Sequence, residues 1–264
     1  MSVDEVLANV AFGDDPGRWP LPAASSAREL WLRAVAAGGQ GRYASARADL
    51  ARLCRTRGGA EPQASLVSLA HSTWASFLRQ LGGHTEARSW DGRAVVLGRL
   101  DPEATADALI GLAADALGVG RLAASSTALQ RAGDVARGTP RLRVRQAWVS
   151  AELAMVRGEG PPAVDHAERA VAHARDFGSA RHAVKSSLVL AAARCSCGDL
   201  DTARSVADTA LEETDRLGMI PLRWALASLL VDIGSARHSP EEMVRLRDDC
   251  AITVRQRGGL WSVR

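Results

Sequence analysis

The chain has 264 residues, a formal charge of +3, and 47% hydrophobic against 4% aromatic residues, so a core has to be built mainly from Ala, Leu and Val. So small a basic excess, without a visible reading helix, gives no ground for direct nucleic-acid binding, and no apolar run approaches the ~18 residues of a membrane span. Cys54, Cys195, Cys197 and Cys250 are too few and too scattered for a disulfide framework, and the opening MSVDEVLANV lacks the positive charge of an export signal, so a soluble, cytoplasmic protein is expected.

Ser2 and Glu5 form an S-x-x-E capping box for a short helix ending at Gly13, and DDPGRWPLP predicts an extended connection with Trp19 tucked against the first helix pair. Ser26 and Glu29 cap a helix to about Ala37. Gly38 to Gly41 turn the chain into a partner helix ending near Arg57. A second pair starts near Pro62, turns at Gly82 and Gly83 and ends at Leu97. A third starts at Asp101-Pro102, turns at Gly118 to Gly120 and ends by Arg137. The fourth begins at Thr139-Pro140, breaks at GEGPP and runs from Ala163 to Phe177. The fifth spans Gly178 to Gly218, and the sixth starts near Pro221, stops near Gly234 and resumes from a Ser239-Pro240-Glu242 cap to just before Gly258. No strand-like alternation of comparable length interrupts this pattern.

Repetition organises the whole. Gly58, Gly98, Gly138, Gly178, Gly218 and Gly258 stand forty residues apart. At the same offset Ala163, Ala167, Ala170, Val171, Ala174 and Phe177 match Ala203, Ala207, Ala210, Leu211, Thr214 and Leu217, one stripe on each helix that lets two helices approach closely. The segments GDLDTARSVADTALEETDRLG, GRYASARADLARLCRTRGG and PPAVDHAERAVAHARDFG resemble the second half of a tetratricopeptide repeat, in which a turn glycine is followed five residues later by alanine and seven after that by a small residue, here Gly198, Ala203 and Ala210. The spacing resembles the longer variety found in the helical arms of transcriptional and signalling regulators. The resemblance implies an all-α, right-handed solenoid of about six antiparallel helix pairs over residues 26–257, preceded by a short helix and Pro-rich connection (1–25) and followed by a tail (258–264). Departures are Leu53 at the late small position of pair one, the sequence GHTEARSWDGRAV in pair two, and His238 on the glycine grid in pair six.

Motifs for chemistry fail on spacing. Val184 precedes Lys185-Ser186 where a phosphate loop needs glycine, Cys195-Ser-Cys197 has no accompanying ligand pair, and His166 and His173 have no carboxylate placed beside them, so no cofactor, metal or catalytic set is expected. The resemblance implies a non-catalytic scaffold or adaptor, or alternatively a stand-alone ligand- or peptide-sensing regulator. An enzyme with an unrecognised site is the remote alternative. In arrays of helix pairs the first helices line the concave face. There Arg141 matches Arg181 and Arg145 matches Lys185 at the forty-residue offset, each pair sharing a face at i, i+4, with Trp148 one turn on. This groove is expected to take a protein or peptide with an acidic segment, although solvated arginines or core tryptophans would give the same pattern. An uncapped last repeat would offer a surface to a second copy, unless Leu260-Trp261 covers it.

Overall fold

A computed structural model of the chain describes residues 1–55, 61–135 and 139–262. Among these residues the regular structure is entirely helical, in thirteen helices packed consecutively. A first helix, α1 (Val3–Phe12), precedes six antiparallel pairs: α2 (Ala27–Gly39) with α3 (Tyr43–Arg55), α4 (Glu61–Gln80) with α5 (His84–Leu97), and α6 (Pro102–Gly118) with α7 (Leu122–Val135). Then come α8 (Pro140–Val156) with α9 (Gly160–Phe177), α10 (Ala180–Ser196) with α11 (Leu200–Arg216), and α12 (Ile220–Ile233) with α13 (Pro240–Gln256). Gly58 and Gly138 of the glycine grid, and the ends expected near Arg57 and Arg137, lie outside the described residues.

The starts are set by their caps. Ser2, Ser26 and Ser239 each accept from the backbone N–H three residues on, while Glu5, Glu29 and Glu242 return a carboxylate to the cap, so two orphan donors are satisfied at each start. Asp101 caps α6 ahead of Pro102, whose missing N–H is no loss in a first turn.

The structure places the turn glycines within the pairs off the forty-residue grid. The turns inside pairs one to five place Gly41, Gly82, Gly120, Gly158 and Gly198 in the left-handed region, which an L side chain enters only at a cost. Five and twelve residues beyond each stand buried residues: Ala46 and Leu53, Ala87 and Ala94, Ser125 and Ala132, Ala163 and Ala170, Ala203 and Ala210. Pair two therefore obeys the pattern, counted from Gly82. The intervals between these glycines drift between 38 and 41 residues, so a strict forty-residue grid obscures that pair. The alanine stripes of α9 and α11 are buried as their period requires, except that Val171 and Phe177 are half-buried. Pair six turns at Gly234, which ends α12.

Alternate helices also touch, α2 against α4, α4 against α6, and so on to α10 against α12, so the first helices form an inner layer. Two sets of contacts lie outside the repeat pattern. Helix α1 packs on α2 and reaches α10, burying Leu7, Val10 and Ala11, and the Gly13 carbonyl accepts from the Ala180 N–H at 3.0 Å. The far end returns to the beginning: Arg257 donates to the Gln40 carbonyl at 2.8 Å, Arg47 donates to the Gly258 carbonyl at 2.6 Å, and the Ser262 N–H reaches the Leu81 carbonyl at 2.8 Å. The array thus closes on itself. Trp261 covers the last first helix, its ring centroid 4.4 Å from that of Trp224. Trp19 stays 43% exposed, beneath the Arg42 guanidinium at 3.8 Å.

Candidate functional site

All six first helices contribute side chains to one cavity of about 530 Å³, with Phe12 from α1 and Trp261 from the tail completing its wall. The second helices contribute only Tyr43 and His84, each at the first position of its helix, because their stripes of small residues are spent on packing. Arg141, Arg145, Trp148, Arg181 and Lys185 all line this cavity, so the structure brings together the five residues that the repeat offset singles out.

They are not, however, a row of free cations over an open groove. Arg141 donates to Asp107 at 3.1 Å and to Glu103 at 3.3 Å, Arg145 contacts the same Asp107 carboxylate, and Lys185 lies 3.6 Å from Glu152. The cause is burial: a guanidinium taken from water costs several kcal/mol unless an anion faces it. Burial pulls the Arg141 charge below its ordinary pKa while Glu103 opposes the fall. Arg145 is pulled down to about 10 by burial and by the repulsion of Arg79 and Arg181, against the attraction of Asp91, and Arg181 falls to about 10 through burial and the Arg141 charge. Both stay charged at neutral pH. Arg181 alone of the five cations lining the cavity has no carboxylate within ion-pair distance among the described residues, and its Nε is buried without a hydrogen-bond acceptor.

Sequence reasoning missed the acids. Asp107 and Asp115 stand two turns apart in an alanine-rich helix that is apolar between them, and that was the available signal: a carboxylate in such a helix is buried only when a cation meets it. Asp115 and Asp91 of α5 share one guanidinium, Arg79 of α4, which lines the cavity and accordingly holds its proton above the ordinary arginine range despite burial. Burial raises the pKa of both carboxylates, Arg79 working against the rise. The two acids lie within hydrogen-bonding reach of each other, and each keeps one buried oxygen with no hydrogen-bond partner.

Aromatic rings fill the space around the cations. His182 is stacked on Trp148 with centroids 5.3 Å apart, meets Phe177 edge-on at 5.0 Å, and lies 6.1 Å from Phe12. Burial, then the charges of Arg181, Arg141 and Arg145, hold this imidazole well below its ordinary pKa, so it is neutral. Its Nδ1 pairs with the Ser179 hydroxyl at 2.8 Å, but Ser179 does not line the cavity. Trp148 donates to the Ser186 hydroxyl at 2.8 Å and carries Lys185 over its ring at 5.4 Å. Trp31 donates to the Thr73 hydroxyl at 3.0 Å. Trp74 is a packing residue, stacked on Trp90. Cys195 and Cys197 sit at the end of α10, Cys197 exposed.

A scan against models of known protein families finds no match for this chain, and a search of the curated proteins finds no relative. What the fold and the site define is a class: an all-helical protein of consecutively packed helices, compatible with a helical repeat, whose inner layer surrounds a charged and aromatic-lined cavity. No described helix is long and apolar enough to cross a membrane.

Proposed function

We propose that the chain is a non-catalytic ligand-binding protein built as a tetratricopeptide-like helical repeat, and that it binds its ligand in the cavity formed by its first helices. The repeat reading is supported by the five turn glycines with their buried residues five and twelve positions on, and by the contacts between alternate helices. The observation that carries the function is that every first helix lines one cavity and that the paired basic residues converge in it. At about 530 Å³ the space suits a small molecule or the end of a peptide.

A partner segment lying along an open groove, the adaptor reading, fits less well. Phe12 and Trp261 stand where such a segment would pass, and the last pair is bonded to the first. This favours the sensor form, in which ligand binding is coupled to the packing of α1 and of the closed ends.

The test is a thermal-shift screen of the purified full-length chain against small molecules and short peptides. Hits should raise the melting temperature of the wild type. They should fail to raise that of Ala225→Trp, which fills the cavity from α12. Stabilisation that survives this substitution, or tight binding of a long protein segment that ignores it, would place the site elsewhere.

A further inference from the structure

Resting on the proposed ligand-binding cavity, we infer that the ligand is a small monocarboxylic acid with a flat apolar body, its carboxylate held by Arg181. Four of the five cations that line the cavity already face acids of this chain: Arg79 meets Asp91 and Asp115, Arg141 meets Asp107 and Glu103, Arg145 meets Asp107, and Lys185 meets Glu152. Arg181 is the exception among the described residues. Its Nε is buried with no acceptor, and its neighbour His182 is neutral and supplies no charge. One unbalanced guanidinium in a half-desolvated cavity asks for one negative charge, and the planar fork of arginine matches a carboxylate through paired, charge-assisted hydrogen bonds. A phosphate dianion would leave a second charge uncompensated beside Asp107 and Glu152, so the balance favours a monoanion.

Leu188 lies two turns beyond Arg181 and also lines the cavity, about 10 Å along the helix at ~1.5 Å per residue. Leu222, Trp224 and Trp261 add apolar and aromatic surface to the same wall. The site therefore sets aromatic faces beside its cations. Flat rings gain there from stacking on indole faces beyond the area they bury.

Isothermal titration of the full-length chain with four probes decides the matter: 2-naphthoate, neutral 2-naphthamide, 2-naphthyl phosphate, and an acetylated pentapeptide ending in tryptophan. The naphthoate should bind at least tenfold tighter than the amide and tighter than the phosphate or the peptide. Arg181→Gln should reduce naphthoate affinity to that of the amide while leaving amide binding, the helical circular-dichroism signal and the melting temperature unchanged. Equal affinities for acid and amide, or an acid preference that survives Arg181→Gln, would overturn the inference while the cavity reading stands. A preference for the phosphate or for the peptide would overturn the assigned class. Should none of the four bind, or should amide binding survive Ala225→Trp, the cavity reading itself fails and this inference with it.

Discussion

On α9 and α11 one side carries Ala163, Ala167, Ala170 and Ala203, Ala207, Ala210, all buried, while Asp165, Glu168, Arg169 and Asp201, Glu212, Glu213 face solvent. On α8 and α10 two sides are engaged, and little of the helix is exposed. Leu142, Val144, Ala151 and Val184, Ala191, Ala193 pack against neighbouring helices, and Arg141, Arg145, Arg181 and Lys185 face the cavity. The contrast teaches that a helix exposed on one side separates polar from apolar by periodicity, whereas a helix in the inner layer places its charges by partner. In the second helices most charges face solvent, and the buried ones, Asp49, Asp91 and Asp208, each meet a donor from another element. In the first helices each cation that lines the cavity needs an acid, or a ligand.

The largest test of this contrast removes the cation of the inner layer that holds two acids. Arg79→Met leaves Asp91 and Asp115 buried beside each other without a counter-charge, and should cost about 3–5 kcal/mol in urea unfolding. That is a large part of the 5–15 kcal/mol typical of a folded chain. Adding Asp91→Asn and Asp115→Asn should recover much of the loss. Near-wild-type stability of Arg79→Met alone would mean that the inner charges are not held by one another.

The second test addresses the stripe. Ala207 is fully buried where α11 packs, so Ala207→Leu should destabilise by about 1–3 kcal/mol through overpacking. Ser205→Leu, on the exposed side of the same helix, should stay within about 0.5 kcal/mol of wild type. Equal effects would erase the distinction between the two sides.

This contrast also explains what was legible in the sequence. The six pairs, their caps and the small-residue stripes could be read because each is set by local chemistry: a serine three residues before a glutamate, a glycine in a left-handed turn, alanines at helical spacing. The convergence of Arg141, Arg145, Trp148, Arg181 and Lys185 could be read because equal offsets put them on one layer. Their partners could not. Asp107 meets Arg141 from 34 residues away and Phe12 meets His182 from 170 residues away, and neither separation matches the repeat. The contacts of Arg257, Gly258 and Ser262 with the first two helix pairs likewise join residues about 180 or more positions apart, which no local pattern encodes.

A smaller effect is expected from pH. Asp91 and Asp115 have raised pKa values because they are buried, so the folded chain retains a proton that the unfolded chain releases. The unfolded state then binds fewer protons, and this pair's contribution to stability falls as pH rises from about 4 toward neutrality, by at most about 1.4 kcal/mol per unit. That slope opposes the usual loss of stability in acid. Asp91→Asn keeps one carboxylate on Arg79 and supplies an amide donor to the other, so urea midpoints measured between pH 4.5 and 7.5 should flatten relative to wild type. An unchanged profile would place the proton elsewhere.

The smallest effect concerns the links between the two kinds of helix, and there two glycines of the forty-residue grid should answer differently. Gly178 ends α9 at φ +74°, and a Cβ built on it meets nothing within 4 Å, so Gly178→Ala should cost about 1 kcal/mol through backbone strain alone. Asn tolerates the left-handed region better than Ala, so Gly178→Asn should cost less. Gly98 has an ordinary backbone at φ −85°, but a Cβ there would stand 2.7 Å from the Ser68 hydroxyl and 3.0 Å from the Ala104 methyl. At Gly98 the larger side chain should therefore be the worse one, with Asn costing more than Ala. Opposite rankings at the two sites, read from urea midpoints, would separate a glycine required by conformation from one required by close packing. The same ranking at both would mean that one cause serves the whole grid.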